Sequence, residues 1–379
     1  MLVGIPKEIK TEEHRVSMTP AGVEVIRQNG HQVWVEQDAG LGSGFDNSDY
    51  TEVGAIVVPT PAEIYAHAQM VMHVKEPQPA EFDMLRKDQI IFTYLHLAAD
   101  ETLTRALIRS GSIIMAYETI QSRDGALPLL TPMSEVAGRM SIQQAAKYLE
   151  MPHGGRGVLL GGVPGVDPAT IVIIGGGVVG TQAARMACGL GAKVFLLDNN
   201  LRRLRHLDDV MPPNCFLIMS NPAAIRHLIT KADAVIGAVL VPGAKAPRLI
   251  TRKMLATMKP GAVLVDVAID QGGCFETSRP TTHADPIYDV DGIVHYCVSN
   301  MPGAVAMTST LALTNATLPY AVQIATKGWH RAMAESAEIK SGANVIQGKV
   351  TNEGVASAFG LAYTPVDAML RDREINSTT

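Results

Sequence analysis

Short apolar runs recur along the chain, separated by stretches whose apolar residues fall three or four positions apart. From Thr170 to Val210 the order is IVII, a glycine turn, TQAARMACGL, KVFLL closing on Asp198, and LRRLRHLDDV. A short apolar run bounded by turn residues predicts a buried strand, and a 3.6-residue spacing predicts a helix, so this stretch has the βαβ rhythm of a parallel sheet. Further runs at CFLIM (215–219), AVIGAVL (234–240), AVLVDVA (262–268) and IVHYCV (293–298) alternate with helical text such as AAIRHLITKA and TRKMLATM. Together they predict a doubly wound sheet of six or seven strands, in a domain spanning 135–304.

The N-terminal part repeats the rhythm more weakly. LVGI, QVWVE, AIVV, MVMHV, IIFTYL and SIIMAY alternate with PAGVEVIRQNG, PAEIYAHA, AEFDMLRK and ETLTRALIRS, the first of these helices opening on Thr19 as cap and Pro20 at its first position. The chain after Ala304 has long helical text and too few strands to stand alone, so it is expected to pack back on the N-terminal part. The expected fold class is therefore α/β, with two doubly wound Rossmann-like domains and a cleft between them. Residues 1–134 and 305–379 form a discontinuous substrate domain into which 135–304, a nucleotide-binding domain, is inserted. The tail RDREINSTT is expected to fray.

From Gly292 to Thr326 the chain carries no Asp, Glu, Lys or Arg, long enough for a membrane span. Pro302 and Pro319 interrupt it, and Ser299, Asn300, Thr308, Ser309, Thr310, Thr314, Asn315 and Thr317 load it with groups that lipid leaves poorly satisfied. A buried strand followed by a small-residue helix fits better, and no membrane association is expected.

Composition agrees with a globular reading. The 379 residues are 47% hydrophobic and 18% charged, and 32 basic against 37 acidic residues leave a formal charge of −5, with no basic footprint for nucleic acid. Cys188, Cys215, Cys274 and Cys297 lie far apart in apolar stretches, as buried free thiols of a reducing compartment do. Lys7, Glu8 and Lys10 interrupt the N-terminus where a signal peptide needs an apolar core, so a cytoplasmic protein is expected.

The strongest local signal is the run IVIIGGGVVG, with Gly175, Gly177 and Gly180 at the G-x-G-x-x-G positions and Asp198 closing the next strand. Gly175 permits the tight turn, Gly177 admits a pyrophosphate to the helix N-terminus, Gly180 lets helix and sheet pack closely, and Asp198 is placed to accept from ribose hydroxyls. The fingerprint follows a strand, opens a helix and has its acid at the expected distance, so it predicts dinucleotide binding. A carboxylate at 198 repels a 2′-phosphate, which favours NAD over NADP. Arg202 and Arg203 by themselves read as solvated helix charges.

A second constellation emerges when strand ends are aligned, because ligands of α/β sheets bind beyond the carboxyl ends of the strands. MVMHV runs into Lys75, IIFTYL into His96, AVLVDVA into Asp270 and IVHYCV into Asn300, while Arg15 follows the first strand on a loop, where a guanidinium can clamp a carboxylate. Tyr94 alternates with apolar positions and reads equally as core. Singly each residue is unremarkable; jointly a base, two cations, a carboxylate and an amide facing a nicotinamide cleft predict chemistry. No H-E-x-x-H, P-loop or G-x-S-x-G motif occurs, so neither a helical zinc site, a P-loop NTPase nor an α/β-hydrolase is expected.

VGIPKEIK, HRVSMTPAGV, VKEP around Lys75, LHLA around His96, GALPLLTPMSEVAGRM, GGRGVLLGGVPGV, GAVLVPGAKAP, MKPGAVLVDVAIDQGGCFE and TSTLALTNATLPY together resemble the NAD-dependent alanine dehydrogenase family over nearly the whole chain. Its wider superfamily includes the NAD-binding component of proton-translocating transhydrogenase and saccharopine-type dehydrogenases. The resemblance implies reversible NAD-dependent oxidative deamination of L-alanine to pyruvate and ammonia by a homohexamer. It implies that Arg15 and Lys75 hold the substrate carboxylate, with Tyr94 and Asn300 beside it, that His96 is general acid and base, and that Asp270 steers the water or ammonia. It further implies cofactor contacts at Ser134, Val178, Val179, Asp198, Arg203, Ser220, Val239 and Leu240. Val267, Ala268, Ile269, Asp270, Arg279, Val298, Ser299, Asn300 and Met301 complete that set. The chain departs from the family pattern at Ala306 and Met307, where a histidine-like or basic residue is expected, and at His14, where an aromatic is more usual. A soluble transhydrogenase component and a non-catalytic NAD-binding protein are the alternatives.

Overall fold

A computed structural model describes residues 1–239 and 246–376, which form two α/β units. The first unit joins Met1–Pro132 to the chain from Val305 on. Strands are numbered in chain order. Its six N-terminal strands are β1 (Leu2–Ile5), β2 (Gln32–Glu36), β3 (Ile56–Val58), β4 (Met70–Met72), β5 (Ile90–Thr93) and β6 (Ile113–Ala116), and they pair in parallel in the order β6-β5-β4-β1-β2-β3. Every residue of β4, β5 and β6 is buried, which is why these strands read as unbroken apolar runs rather than alternating ones. Val71, Ile91 and Ile114 of these strands share one core cluster with Ile64, Leu107 and Val345.

Between Val305 and Asn376 the chain adds two short strands, β14 (Ala343–Ile346) and β15 (Lys349–Val350), with β14 antiparallel to β6. It also adds the 30-residue helix Ala306–Glu335, whose helical geometry breaks at Gly328 (φ 73°, ψ 156°). Its buried positions include Ser309, Thr310, Thr314 and Thr317, small enough for close packing against the helix Pro20–Gln28, where a Cβ on Gly22 would lie 3.0 Å from Thr314 Cγ2. Among the described residues no helix is long and apolar enough to cross a membrane. The tail expected to fray is helical through Asn376, and residues 377–379 lie outside the described residues.

The second unit, Met133–Ala304, carries β7 (Thr170–Ile174), β8 (Lys193–Asp198), β9 (Cys215–Met219), β10 (Ala234–Gly237), β11 (Val263–Asp266), β12 (Ile287–Val290) and β13 (Ile293–Tyr296). The sheet order is β12-β13-β11-β10-β7-β8-β9, all parallel except the β12–β13 hairpin. Three apolar runs extend past their strands, because β10, β11 and β13 end at Gly237, Asp266 and Tyr296. β12 escapes an apolar-run reading because its IYDV is mixed in character, although Asp291-Gly292, both at positive φ, is a strong hairpin signal. The helix Thr131–Tyr148 was also unannounced by periodicity, its apolar residues being spread around the axis. It presses on the helix Val178–Gly189 so closely that a Cβ on Gly138 would fall 2.3 Å from Val179 O. All four cysteines are free, three buried and Cys215 half-buried.

Candidate functional site

In the first unit the chain winds one way from β1 through β2 to β3 and then returns to β4 on the other side of β1. That reversal leaves a crevice at the carboxyl ends of β1 and β4. Lys75 and His96 each lie three residues beyond their strands, not at the strand ends themselves, because two carboxylates take over the backbone N–H groups there. Glu8 accepts from Val74 N at 2.6 Å and Lys75 N at 3.3 Å, closing β4. Glu118 accepts from Leu95 N at 3.1 Å and His96 N at 2.6 Å, closing β5.

Held by Glu118, His96 adopts a left-handed backbone conformation (φ 51°, ψ 39°), which is unfavourable for a side-chain-bearing residue and characteristic of functional positions. Its imidazole is exposed and nearly parallel to the Tyr94 ring, 8° between planes with centroids 6.5 Å apart. Tyr94 is 3% exposed, and its hydroxyl donates to Leu129 O. Burial pushes the phenol pKa up, and the Arg15 charge works against this. Arg15 is itself buried, donating from Nε to Glu13 Oε1 at 2.7 Å and from Nη2 to Glu13 Oε2 at 2.5 Å. Burial disfavours its charge, but Glu13 outweighs that and raises its pKa. The Arg15 loop is pinned by Thr310, whose hydroxyl accepts from Val16 N at 3.1 Å. Arg15, Lys75, Tyr94 and His96 thus gather at one edge of the first sheet.

Behind Lys75 lies a buried polar chain. His73 Nδ1 meets Glu8 Oε1 at 3.0 Å, its Nε2 meets Tyr65 Oη at 2.7 Å, and that hydroxyl donates to Glu81 Oε1 at 3.2 Å. Burial alone would lower the His73 pKa, but Glu8, Glu81 and Glu36 raise it above the ordinary histidine value. A raised folded-state pKa contributes stability that is complete below the unfolded value of about 6.5 and is lost as pH rises through the folded value. Wild type is therefore expected to exceed His73→Gln in stability by more at pH 6 than at pH 9. Urea melts of both proteins at the two pH values check this, and a larger gap at pH 9 counts against a charged His73.

In the second unit the glycine turn is as close as the fingerprint requires. Gly175 has φ 107°, and a Cβ there would lie 2.5 Å from Ala238 O; a Cβ on Gly180 would lie 1.8 Å from Gly175 O. The helix Val178–Gly189 has Gly177 at its N-cap, and among the described residues no side chain caps its first turn. Gly177 and Val178 are exposed and Val179 is half-buried. That uncapped, open helix start suits an anion. Asp198 Oδ2 accepts from Gly176 N and Oδ1 from Asn200 N, both at 2.7 Å. Arg203 is not the solvated helix charge its sequence context suggests. It donates from Nε to Gly176 O at 2.7 Å and from Nη2 to Thr181 Oγ1 at 2.8 Å, so Asp198 and Arg203 hold the turn from both sides.

The remaining candidates also follow parallel strands at this edge. Ser220 N donates to Asp198 O just past β9, and Val239 follows β10. Leu240 lies outside the described residues. After β11, Val267 and Ala268 are half-buried, Ile269 is buried, and Asp270 is exposed on the short turn Ile269–Gln271. Asp266, which the sequence reading passed over, holds that loop by accepting from Ala268 N at 3.1 Å, Cys274 N at 2.8 Å and Ser278 Oγ at 2.5 Å. Burial raises its pKa against these hydrogen bonds. Arg279 stacks on Tyr288 of β12, its guanidinium carbon 4.1 Å from the ring centroid. Past β13, Val298 and Met301 are buried, Ser299 and Asn300 half-buried, and Asn300 has φ 61° with its carbonyl 3.2 Å from His283 Nε2. Ser134 is half-buried on the helix Thr131–Tyr148, which Arg139 and Glu135 tie to Gln182 of the glycine-turn helix.

Glu8, Glu13, His73, Glu118 and Asp266 went unrecognised from sequence. Asp266 and His73, ionisable residues inside the apolar runs AVLVDVA and MVMHV, carry a local signal of burial.

A doubly wound sheet whose first strand turns on glycine into an open helix, with an acid closing the next strand, defines the dinucleotide-binding class of α/β proteins. The model of the alanine dehydrogenase/PNT N-terminal domain matches residues 4–137, and that of the C-terminal domain matches residues 141–353. The chain belongs to the alanine dehydrogenase/PNT family. It is 54% identical over 373 residues to an alanine dehydrogenase of Methanococcus maripaludis, covering 98% of this chain and 100% of that protein. A solved structure described as L-alanine dehydrogenase superposes with a TM-score of 0.92 at 49% identity, over 95% of this chain and 99% of that one. A transhydrogenase structure from Sinorhizobium meliloti gives a TM-score of 0.80 at 26% identity, over 93% and 99%.

Proposed function

We propose that the protein is an NAD-dependent alanine dehydrogenase, converting L-alanine, NAD and water reversibly into pyruvate, ammonia and NADH. The observation that carries this reading is full-length similarity to alanine dehydrogenases combined with the gathering of Arg15, Lys75, Tyr94 and His96 at one sheet edge. NAD, when bound, supplies the hydride acceptor. Its pyrophosphate is assigned to the uncapped helix start at Gly177–Gly180 and its adenosine ribose to Asp198. Ser134, Val178, Val179, Arg203, Ser220, Val239, Leu240, 267–270, Arg279 and 298–301 are assigned around it.

Arg15 and Lys75 hold the substrate carboxylate, which fixes the orientation of Cα. Tyr94 and Asn300 border the substrate. His96 takes a proton from the water that adds to the iminium carbon and returns one as ammonia leaves, with Asp270 orienting the attacking molecule. Arg15→Ala is expected to raise the pyruvate KM about 10- to 100-fold, since it removes the clamp and leaves Glu13 buried without its guanidinium. An unchanged pyruvate KM in initial-rate assays would count against the clamp.

The direct test follows NADH absorbance with pyruvate and ammonium, omitting ammonium or replacing NADH with NADPH in parallel. Ammonium-dependent NADH loss is expected, with NADPH at least about 10-fold poorer because Asp198 repels a 2′-phosphate. The similarity to a transhydrogenase favours a second reading, an NAD(H)-binding component of such an enzyme. NADH binding without ammonium-dependent turnover would support that reading, or a non-catalytic NAD-binding protein. A cytoplasmic homohexamer completes the proposal, and sedimentation velocity reads its assembly.

A further inference from the structure

The strand end that carries Lys75 is tied down by side chains. Lys75 N–H donates to Glu8 Oε2 at 3.3 Å, and Lys75 C=O accepts from Thr93 Oγ1 of β5 at 2.8 Å, so both backbone polar groups of this residue are held by side chains. One residue earlier, Val74 N–H donates to Glu8 Oε1 at 2.6 Å. One residue later, Glu76 pairs with Lys10, which shares a loop with Glu8. Glu8 is in turn oriented by His73, and His73 by Tyr65 and Glu81, in a chain that solvent barely reaches.

We propose that Glu8 is a positioning residue for Lys75, fixing through the Val74 and Lys75 N–H groups the point from which the ammonium reaches the substrate carboxylate. The proposal rests on the reading of Lys75 as a carboxylate-binding residue. Stability alone is a poor reason for this construction, since a buried carboxylate–imidazole pair is often no better than apolar packing of the same volume. What such a pair supplies is geometry. Glu8 accepts from Val74 N–H through one carboxylate oxygen and from Lys75 N–H through the other, and an amide would carry an acceptor at only one of those two positions.

The test is a double-mutant cycle read as pyruvate affinity for the enzyme–NADH complex, followed by NADH fluorescence so that inactive variants can be measured. Glu8→Gln keeps the size of the side chain but turns one acceptor into a donor facing a backbone N–H. It is expected to weaken pyruvate binding about 10- to 100-fold while leaving NADH affinity unchanged. Placed on Lys75→Ala, the same substitution is expected to add nothing, because its effect passes through the missing ammonium. Thr93→Val removes the other anchor from a different strand and is expected to show the same pattern; it decides the matter if Glu8→Gln does not fold. Wild-type pyruvate affinity in the folded variants, or effects that multiply with Lys75→Ala, overturns the proposal while leaving Lys75 in its role. Unchanged pyruvate affinity in Lys75→Ala itself overturns the reading of Lys75, and the positioning role with it.

Discussion

Replacing His96 by alanine is expected to lower turnover about 10²–10⁴-fold, the usual contribution of a positioned general acid–base, while NADH affinity stays at the wild-type level. The separation follows from placement. His96 follows β5 of the first unit, whereas the glycine turn, Asp198 and Arg203 belong to the second. Glu118 fixes the backbone at 95 and 96 through main-chain N–H groups, which an alanine retains, so the local fold should persist. Steady-state kinetics alongside NADH titration by fluorescence reads both quantities. Wild-type kcat in this variant would remove His96 from the mechanism, and a matching loss of NADH binding would mean the substitution acts through structure.

Gly180→Ala carries the largest expected effect on the cofactor. The added methyl would sit 1.8 Å from Gly175 O, and the obstacle is backbone, so no side chain can rotate out of the way. The helix must move off the strand, which draws the first-turn N–H groups from their place and breaks the approach that Gly176, Asp198 and Arg203 maintain. NADH affinity is expected to fall at least about 100-fold, with a loss of about 1–3 kcal/mol in stability from the overpacked contact. Titration and thermal melts together test this. Tight NADH binding by a stable Gly180→Ala protein would show that the helix start does not hold the pyrophosphate.

How much could be read in advance depended on the range of the interaction. Strands β4 to β7 were legible because burial on both faces forces continuous apolar residues, a property of each segment alone. The hairpin strand β12 was not, since an edge strand beside β13 can carry Tyr288 and Asp289 and show no apolar run. His96, Lys75 and Arg15 could be nominated because reactive side chains follow strands whose direction a parallel sheet makes predictable.

Their supporting residues could not. Glu8 and Glu13 read as two more acids in a charged N-terminal loop, and only the return of the chain at β4 brings Glu8 beneath Val74 and Lys75. Arg203 looked like one of several helix cations until the glycine turn was seen to receive it. Residue order by itself determined the α/β class, the glycine turn and the reactive side chains, because these depend on local periodicity and on chemistry carried by single residues. Tertiary structure decided which carboxylates are buried, which backbone N–H groups they hold and where each strand ends. For Glu8 and Glu118 those outcomes depend on partners 22 to 67 positions away in the chain, and no local pattern encodes them.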